Sequence, residues 1–69
     1  MKILYDKGAD ALYLRLKTGR VSKTVKMKDR VIVDVDKAGG VLGVEILGVS
    51  KQISKKSLES IEVGFPVAA

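Results

Sequence analysis

The sequence predicts an α+β fold that is mainly β: a five-stranded antiparallel meander sheet followed by one C-terminal helix. Three observations lead to this fold. Apolar residues recur with a period of two in several runs before residue 48, as in strands that are buried on one face. The links between these runs are short and polar, and none has the dozen or more residues that a parallel crossover needs. After Gly48 the apolar spacing widens, which indicates a helix.

The alternation places the strands at about residues 2–5, 10–16, 21–28, 31–36 and 41–47. Three of the four links contain glycine, which supplies the positive φ of tight hairpin turns. A one-residue slip would move every side chain to the opposite face, so the apolar pattern also predicts the register. The predicted pairs are Val31 with Ile46, Val33 with Val44, Val35 with Leu42, Val25 with Val33, Met27 with Val31, and Leu16 with Val21.

One helix, continuous or broken, is predicted between about residues 50 and 62. Its apolar positions are Val49, Ile53, Leu58 and Ile61, and a serine is available to cap its first turn. We expect Gly64 to end it. Residues 65–69 form a short apolar tail to which the pattern assigns no course.

The predicted sheet has one broad apolar face. Its members are Leu4, Leu12, Leu14, Leu16, Val21, Val25, Met27, Val31, Val33, Val35, Leu42, Val44 and Ile46, whereas Ile3, Tyr5, Tyr13 and Ile32 are predicted on the opposite face. Five strands about 4.8 Å apart make a sheet roughly 20 to 25 Å wide, and one helix is only about 10 to 12 Å across. Because the helix cannot cover such a face, either the sheet curls strongly onto itself or two copies pack together, and we predict a homodimer.

Composition limits the chemistry. The chain has 69 residues and is predicted to form one domain, 1–69, without disulfides, since it contains no Cys. With no His and no Cys it lacks an imidazole base, a thiolate and soft metal ligands, so we predict no enzyme activity, no cofactor and no catalytic residue. No membrane span and no secretory signal is recognisable, which favours a cytoplasmic protein.

Two polar clusters provide alternative functions. The net charge is +5, and a basic sheet surface is suited to a phosphate backbone. The candidate nucleic-acid-binding residues are Arg15, Lys17, Lys26, Lys28 and Arg30. In the predicted register Asp34, Asp36 and Glu45 lie on one side of the last two strands, where carboxylates could bind Mg²⁺ or Ca²⁺ or act as acid and base. A solvated polar face is the favoured explanation of these carboxylates, so no metal ligand is assigned.

Several segments resemble a known family. They are Tyr5-Asp6, Ala9–Leu14, Val33–Asp36, Gly40–Leu47 and Ser50-Lys51. Over about residues 1–52 the chain resembles the short prokaryotic proteins grouped as domain of unknown function 2283. The resemblance implies a small stand-alone domain in bacteria or archaea, and it implies no activity, cofactor or site residue.

These observations favour a non-enzymatic interaction domain that acts as a homodimer and binds another macromolecule. One version is the neutralising protein of a two-gene module, a hypothesis based on size and fold type. Nucleic-acid binding through the basic strands is the second hypothesis. A carboxylate enzyme or divalent-metal site is the third.

Overall fold

The computed structural model describes residues 1–64 and confirms the predicted fold class. Its strands are β1 (Lys2–Asp6), β2 (Ala11–Arg15), β3 (Lys23–Lys26), β4 (Val31–Val35) and β5 (Val41–Leu47). A 3₁₀ turn (Val49–Lys51) and a helix α1 (Lys55–Leu58) follow. β2 and β3 are shorter than predicted. The predicted apolar tail, 65–69, lies outside the described residues.

All four strand pairs are antiparallel, and the order across the sheet is β1-β2-β5-β4-β3. Three of the pairs join consecutive strands, as in a meander, and the fourth joins β2 to β5. The predicted pairing of Leu16 with Val21 is wrong, because β2 pairs with β5 instead of β3. This order places the seven-residue apolar strand β5 in the centre, paired on both sides, and leaves β3, which begins and ends with Lys23 and Lys26, at an edge. Lysines on an edge strand oppose aggregation through that edge.

The register around β4 is largely as predicted. Val31 lies opposite Ile46, and Val33 lies opposite both Val44 and Val25. The N–H of Met27 also donates to the carbonyl of Val31, which agrees with their predicted pairing. The predicted pairing of Val35 with Leu42 is wrong, since an irregularity after Asp34 shifts Val35 to Val41. The carbonyl of the extra residue, Leu42, accepts the N–H groups of Leu16 and Lys17, so the irregularity lies where the chain leaves β2.

β1 is paired differently from the expectation. Ile3 lies opposite Leu14 and Tyr5 lies opposite Leu12, so both share the face of the leucines, whereas Leu4 lies opposite Tyr13 on the other face. The predicted faces of Ile3, Leu4 and Tyr5 are therefore wrong. The turn between the two strands decides this parity. Within it, Asp10 has a φ of 50° and Asp6 Oδ1 accepts the N–H of Ala9 at 3.1 Å.

The C-terminal helix is broken and shorter than the predicted 50–62. Gly48, with a φ of 63°, reverses the chain after β5 and precedes the 3₁₀ turn. The hydroxyl of Ser54 then caps α1 by accepting the N–H of Ser57 at 3.1 Å. α1 is only four residues long. The alternative in which the helix is broken is the one the structure adopts.

The molecule is a thin slab with a small interior. Its extents are 38 × 37 × 18 Å, and its radius of gyration of 13.6 Å exceeds the roughly 11 Å of a compact chain of this length. Among residues 1–64 only Ala11, Leu42 and Val49 are buried apolar side chains. The sheet therefore forms a single layer, and most of its apolar residues stay half-buried.

Candidate interaction surface

One face of the sheet is continuous and apolar, and we call it the apolar face. Reading across the sheet, it carries Ile3 and Tyr5 of β1, Leu12 and Leu14 of β2, Val44 and Ile46 of β5, Val31 and Val33 of β4, and Val25 of β3. The members on β2 to β5 are all half-buried, and none of them is buried. A covered sheet face excludes water from such side chains, so a large apolar area here meets solvent.

The C-terminal segment covers only the β1 margin of the apolar face. A groove of about 370 Å³ separates it from the sheet. Its apolar lining consists of Ile3, Tyr5, Leu12, Ile53, Leu58 and Ile61. Because the lining residues of the sheet belong to β1 and β2, the apolar face over β5, β4 and β3 lies beyond the helix.

The opposite face, the polar face, has a hydrogen-bonded centre. Tyr13 of β2 reaches across β5 above Gly43, and its hydroxyl donates to Asp34 Oδ2 at 3.0 Å. Thr24 donates to the other oxygen of Asp34 at 2.9 Å. Burial and the neighbouring Asp34 carboxylate raise the pKa of Tyr13 above its ordinary value. The Tyr13 side chain thus occupies the space above Gly43, which has no side chain of its own.

The three carboxylates proposed as an oxygen-ligand site do not converge. Asp34 is bonded to Tyr13 and Thr24. Asp36 lies in the turn before β5, where it accepts the N–H of Gly40 at 2.7 Å and pairs with Lys17 at 3.2 Å. These contacts lower the pKa of Asp36, the Gly40 hydrogen bond most. Among residues 1–64 no group of three or more His, Cys, Asp or Glu side chains is placed to hold a metal ion.

A second hydrogen-bonded cluster, not predicted from the sequence, ties the C-terminal segment to the β1–β2 turn. Asp10 accepts the hydroxyl of Ser50 at 2.7 Å, the N–H of Ser50 at 3.1 Å and the hydroxyl of Tyr5 at 2.9 Å. The Asp10 carbonyl also accepts the N–H of Val49. The Ser50 bond lowers the pKa of Asp10, and the Asp10 carboxylate raises the pKa of Tyr5. Tyr5, Asp10 and Ser50 all lie in the segments through which the sequence resembles a known family, and this was the signal in the sequence that could have indicated the cluster.

The five basic candidate residues occupy two separate parts of the sheet. Arg15 and Lys17 are at the end of β2, and Lys17 is bound to Asp36. Lys26 ends β3 on the polar face, and Lys28 and Arg30 belong to the turn before β4. Between these groups the polar face carries Asp34 and Glu45. Nucleic-acid binding by these residues stays a prediction.

Comparison with known proteins adds one result. A family model described as a protein of unknown function (DUF2283) matches residues 2–50 of the 69-residue chain. The chain belongs to this family. The DUF2283 match spans all five strands and ends at Ser50, the residue bound to Asp10. No curated protein and no solved structure matches the chain.

The family is one of unknown function, so the DUF2283 match carries no activity over to this chain. Among the residues that the structure describes, no helix has the length and apolarity to cross a membrane.

Proposed function

We propose that this DUF2283 protein is a non-enzymatic interaction domain that acts as a homodimer, in which a second copy covers the apolar face. The observation that carries the proposal is the half-exposed area of the apolar face beyond α1. Fully burying one aliphatic side chain contributes about 1.5 to 3 kcal/mol, so several uncovered positions forgo stabilisation comparable to the total stability of a small domain.

The size of the exposed area suits a second copy. The chain exposes 5747 Å², whereas a compact monomer of 7.4 kDa is expected to expose about 4,200 Å². The excess is roughly 1,500 Å². A stable interface buries about 800 Å² on each partner, so an interface of ordinary size fits within the excess.

The shape of the face also favours a second copy. Valines and isoleucines on β4 and β5 form a flat row, and two such sheets pack about 10 Å apart with their side chains interdigitated. A contact of the same surface with itself around a two-fold axis is the commonest way in which small proteins associate. The slab is 18 Å thick, so pairing two slabs would supply the second layer that a domain core needs.

The mass in solution tests the proposal, with Val33→Lys as the disruptive variant. Val33 lies on β4, the middle strand of the part of the apolar face beyond α1, and its neighbour Ile32 lies on the polar face of the same strand. In light scattering at micromolar concentration we expect Val33→Lys to halve the mass of the wild-type species. Ile32→Lys, the matched control, should leave it unchanged. A monomeric wild type, or a Val33→Lys protein of wild-type mass, contradicts the proposal.

The proposed macromolecular partner is a second protein. In the version in which this chain neutralises the product of an adjacent gene, that gene is expected to encode a compact basic, nuclease-like protein that co-purifies with this chain in a native pull-down. An adjacent gene that encodes a product of another kind, or a pull-down that captures no such protein, would argue against this version.

Nucleic-acid binding is the second candidate, favoured by the proximity of Lys26, Lys28 and Arg30 around one turn. If it operates, a gel shift should weaken steeply with salt, and Lys26→Glu and Lys28→Glu should each reduce binding. A shift that does not depend on salt, or variants that both bind as tightly as the wild type, would eliminate nucleic-acid binding.

A further inference from the structure

We infer that β1 forms a second contact between copies of this chain, in which two β1 strands pair antiparallel at their free edges with Leu4 opposite Leu4. This contact is independent of the apolar face, because it uses the backbone edge of the sheet. It joins two five-stranded sheets into one of ten strands. Three features of β1 carry the inference: its unprotected edge, the direction of its backbone groups and its charge pattern.

The β1 edge lacks the protection found at the other edge of the sheet. In the described part of the chain, β1 is flanked only by β2. Ile3, Leu4 and Tyr5 occupy the middle of the strand and are 36, 42 and 44% exposed. Both edge strands have charged ends, but β3, at the opposite edge, has lysine at both ends of only four residues, whereas β1 has three consecutive apolar residues between Lys2 and Asp6. An exposed apolar edge strand is a template for pairing with another strand.

The backbone directions in β1 follow from the observed hydrogen bonds. The N–H of Leu47 donates to the carbonyl of Arg30, so the backbone N–H and C=O of Leu47 point toward β4. Successive residues of a strand point these groups to opposite sides, so those of Ile46 and Val44 point toward β2. Their partners Leu14 and Leu12 point back at β5. Tyr13, the residue between them, consequently points toward β1.

The same alternation continues into β1. Leu4 lies opposite Tyr13 and is directed toward β2, as are Lys2 and Asp6. The N–H and C=O groups of Ile3 and Tyr5 therefore face outward. In a pairing centred on Leu4, Ile3 of each copy lies opposite Tyr5 of the other. The four outward N–H and C=O groups of each copy then form hydrogen bonds with those of the second copy.

The charges of β1 are complementary to themselves in the same register. Lys2-Ile3-Leu4-Tyr5-Asp6 has opposite charges at its two ends. Antiparallel pairing centred on Leu4 sets Lys2 opposite Asp6 of the second copy, twice per contact. Directly opposite residues have Cβ atoms about 4.5 to 5.5 Å apart, within reach of an ion pair.

Within one copy, Lys2 is next to a like charge. It lies directly opposite Arg15, and like charges in this arrangement repel. Among residues 1–64 the ion pair present joins Lys17 and Asp36, so neither Lys2 nor Arg15 has a carboxylate within 4.0 Å. Asp6 of the second copy would supply the missing negative charge.

Charge reversal tests the contact. Lys2→Asp sets two pairs of like charges across the contact but relieves the repulsion with Arg15 inside each copy. We expect it to weaken the edge contact by about tenfold or more in dissociation constant while folding stability is kept. The double variant Lys2→Asp, Asp6→Lys restores opposite charges and should restore association. An equimolar mixture of the single variants Lys2→Asp and Asp6→Lys should form a pair with one copy of each, because opposite charges then face each other at both ends of the contact. Asp6→Lys also removes the acceptor of the Ala9 N–H in the β1–β2 turn, so circular dichroism must show that each variant that carries it is folded.

Proline substitution supplies a test of the backbone. Ile3→Pro removes an N–H that faces outward, so β1 keeps its pairing with β2 but loses an edge donor. Leu4→Pro, the matched control, removes an N–H directed at β2 and should lower the melting temperature. We expect Ile3→Pro to lose the edge contact and to keep the wild-type circular dichroism spectrum.

Masses in solution distinguish this contact from that of the apolar face. If both contacts form, the wild type is larger than a dimer, a tetramer where the two two-fold axes close. Lys2→Asp and Val33→Lys then each give dimers, and combining them gives a monomer. A wild-type dimer that Lys2→Asp and Ile3→Pro leave intact, and that Val33→Lys dissociates, overturns the edge contact alone. A wild-type dimer with the reverse response overturns the apolar-face contact alone.

Discussion

Gly43 is the position at which the side chain of Tyr13 lies directly on the backbone of β5. A Cβ atom added there would overlap the Tyr13 hydroxyl and would lie 2.5 Å from Cζ of the ring and 3.1 Å from the carbonyl oxygen of Leu14. Positive φ angles among the glycines occur at Gly39 and Gly48, so alanine fits the backbone at position 43 without conformational strain. In Gly43→Ala the Tyr13 ring must move instead.

The expected cost combines two losses and one gain. Forcing a side chain out of a packed position costs about 1 to 3 kcal/mol, and losing the hydrogen bond from Tyr13 to Asp34 costs about 0.5 to 1.5 kcal/mol. Replacing glycine within a strand returns roughly 0.5 to 1 kcal/mol of chain entropy. We therefore expect Gly43→Ala to destabilise the protein by about 0.5 to 4 kcal/mol, with about 2 kcal/mol as the central value. Chains of this size have about 3 to 10 kcal/mol in total, so the effect is large.

Thermal or urea unfolding at one fixed protein concentration measures the effect, since association would shift the midpoint. For a domain of this size each kcal/mol lowers Tm by about 4 to 8 °C. Tyr13→Ala removes the obstacle, so Gly43→Ala in that background should cost close to nothing. An equal cost in both backgrounds, or an unchanged Tm in Gly43→Ala, would refute the reasoning.

Three further predictions concern ionisation and metals. The raised pKa of Tyr13 means that the fold favours the neutral phenol. This stabilisation is complete below the unfolded pKa of about 10 and is lost as pH rises through the higher folded pKa. Tyr13→Phe should therefore reduce the fall of Tm in alkali. The lowered pKa of Asp10 means that the fold favours the charged carboxylate. This stabilisation is complete above the unfolded pKa of about 4 and is lost as pH falls through the lower folded pKa. Asp10→Asn should therefore lower Tm by several degrees at neutral pH and by less in acid. Because Asp34 and Asp36 are bound to different groups, millimolar Mg²⁺ or Ca²⁺ should leave Tm unchanged, and a rise that Asp34→Asn abolishes would contradict this.

Local patterns in the sequence were sufficient for most of the strands. Alternation over residues 31–36 and 41–47 predicted both strands and the pairing of Val33 with Val44, because a short turn leaves little choice of register. The same alternation placed Asp34, Asp36 and Glu45 on one side of the last two strands. It places residues on a face but does not describe the turn in which Asp36 binds Gly40.

The sequence by itself determined where strands form, that their links are too short for parallel crossovers, and that imidazole and thiol chemistry are absent. The tertiary structure decided which strands are neighbours and which face of β1 is apolar. The pairing of β5 with β2 joins two segments that are distant in the sequence. It gives the long apolar strand β5 two partners and leaves the lysine-bearing β3 at an edge. The face of Ile3 and Tyr5 depends on the parity of one turn, in which Asp10 has a φ of 50° and accepts hydrogen bonds from Ser50, forty positions away. Such contacts have no local signature, because they exist only once the sheet has formed.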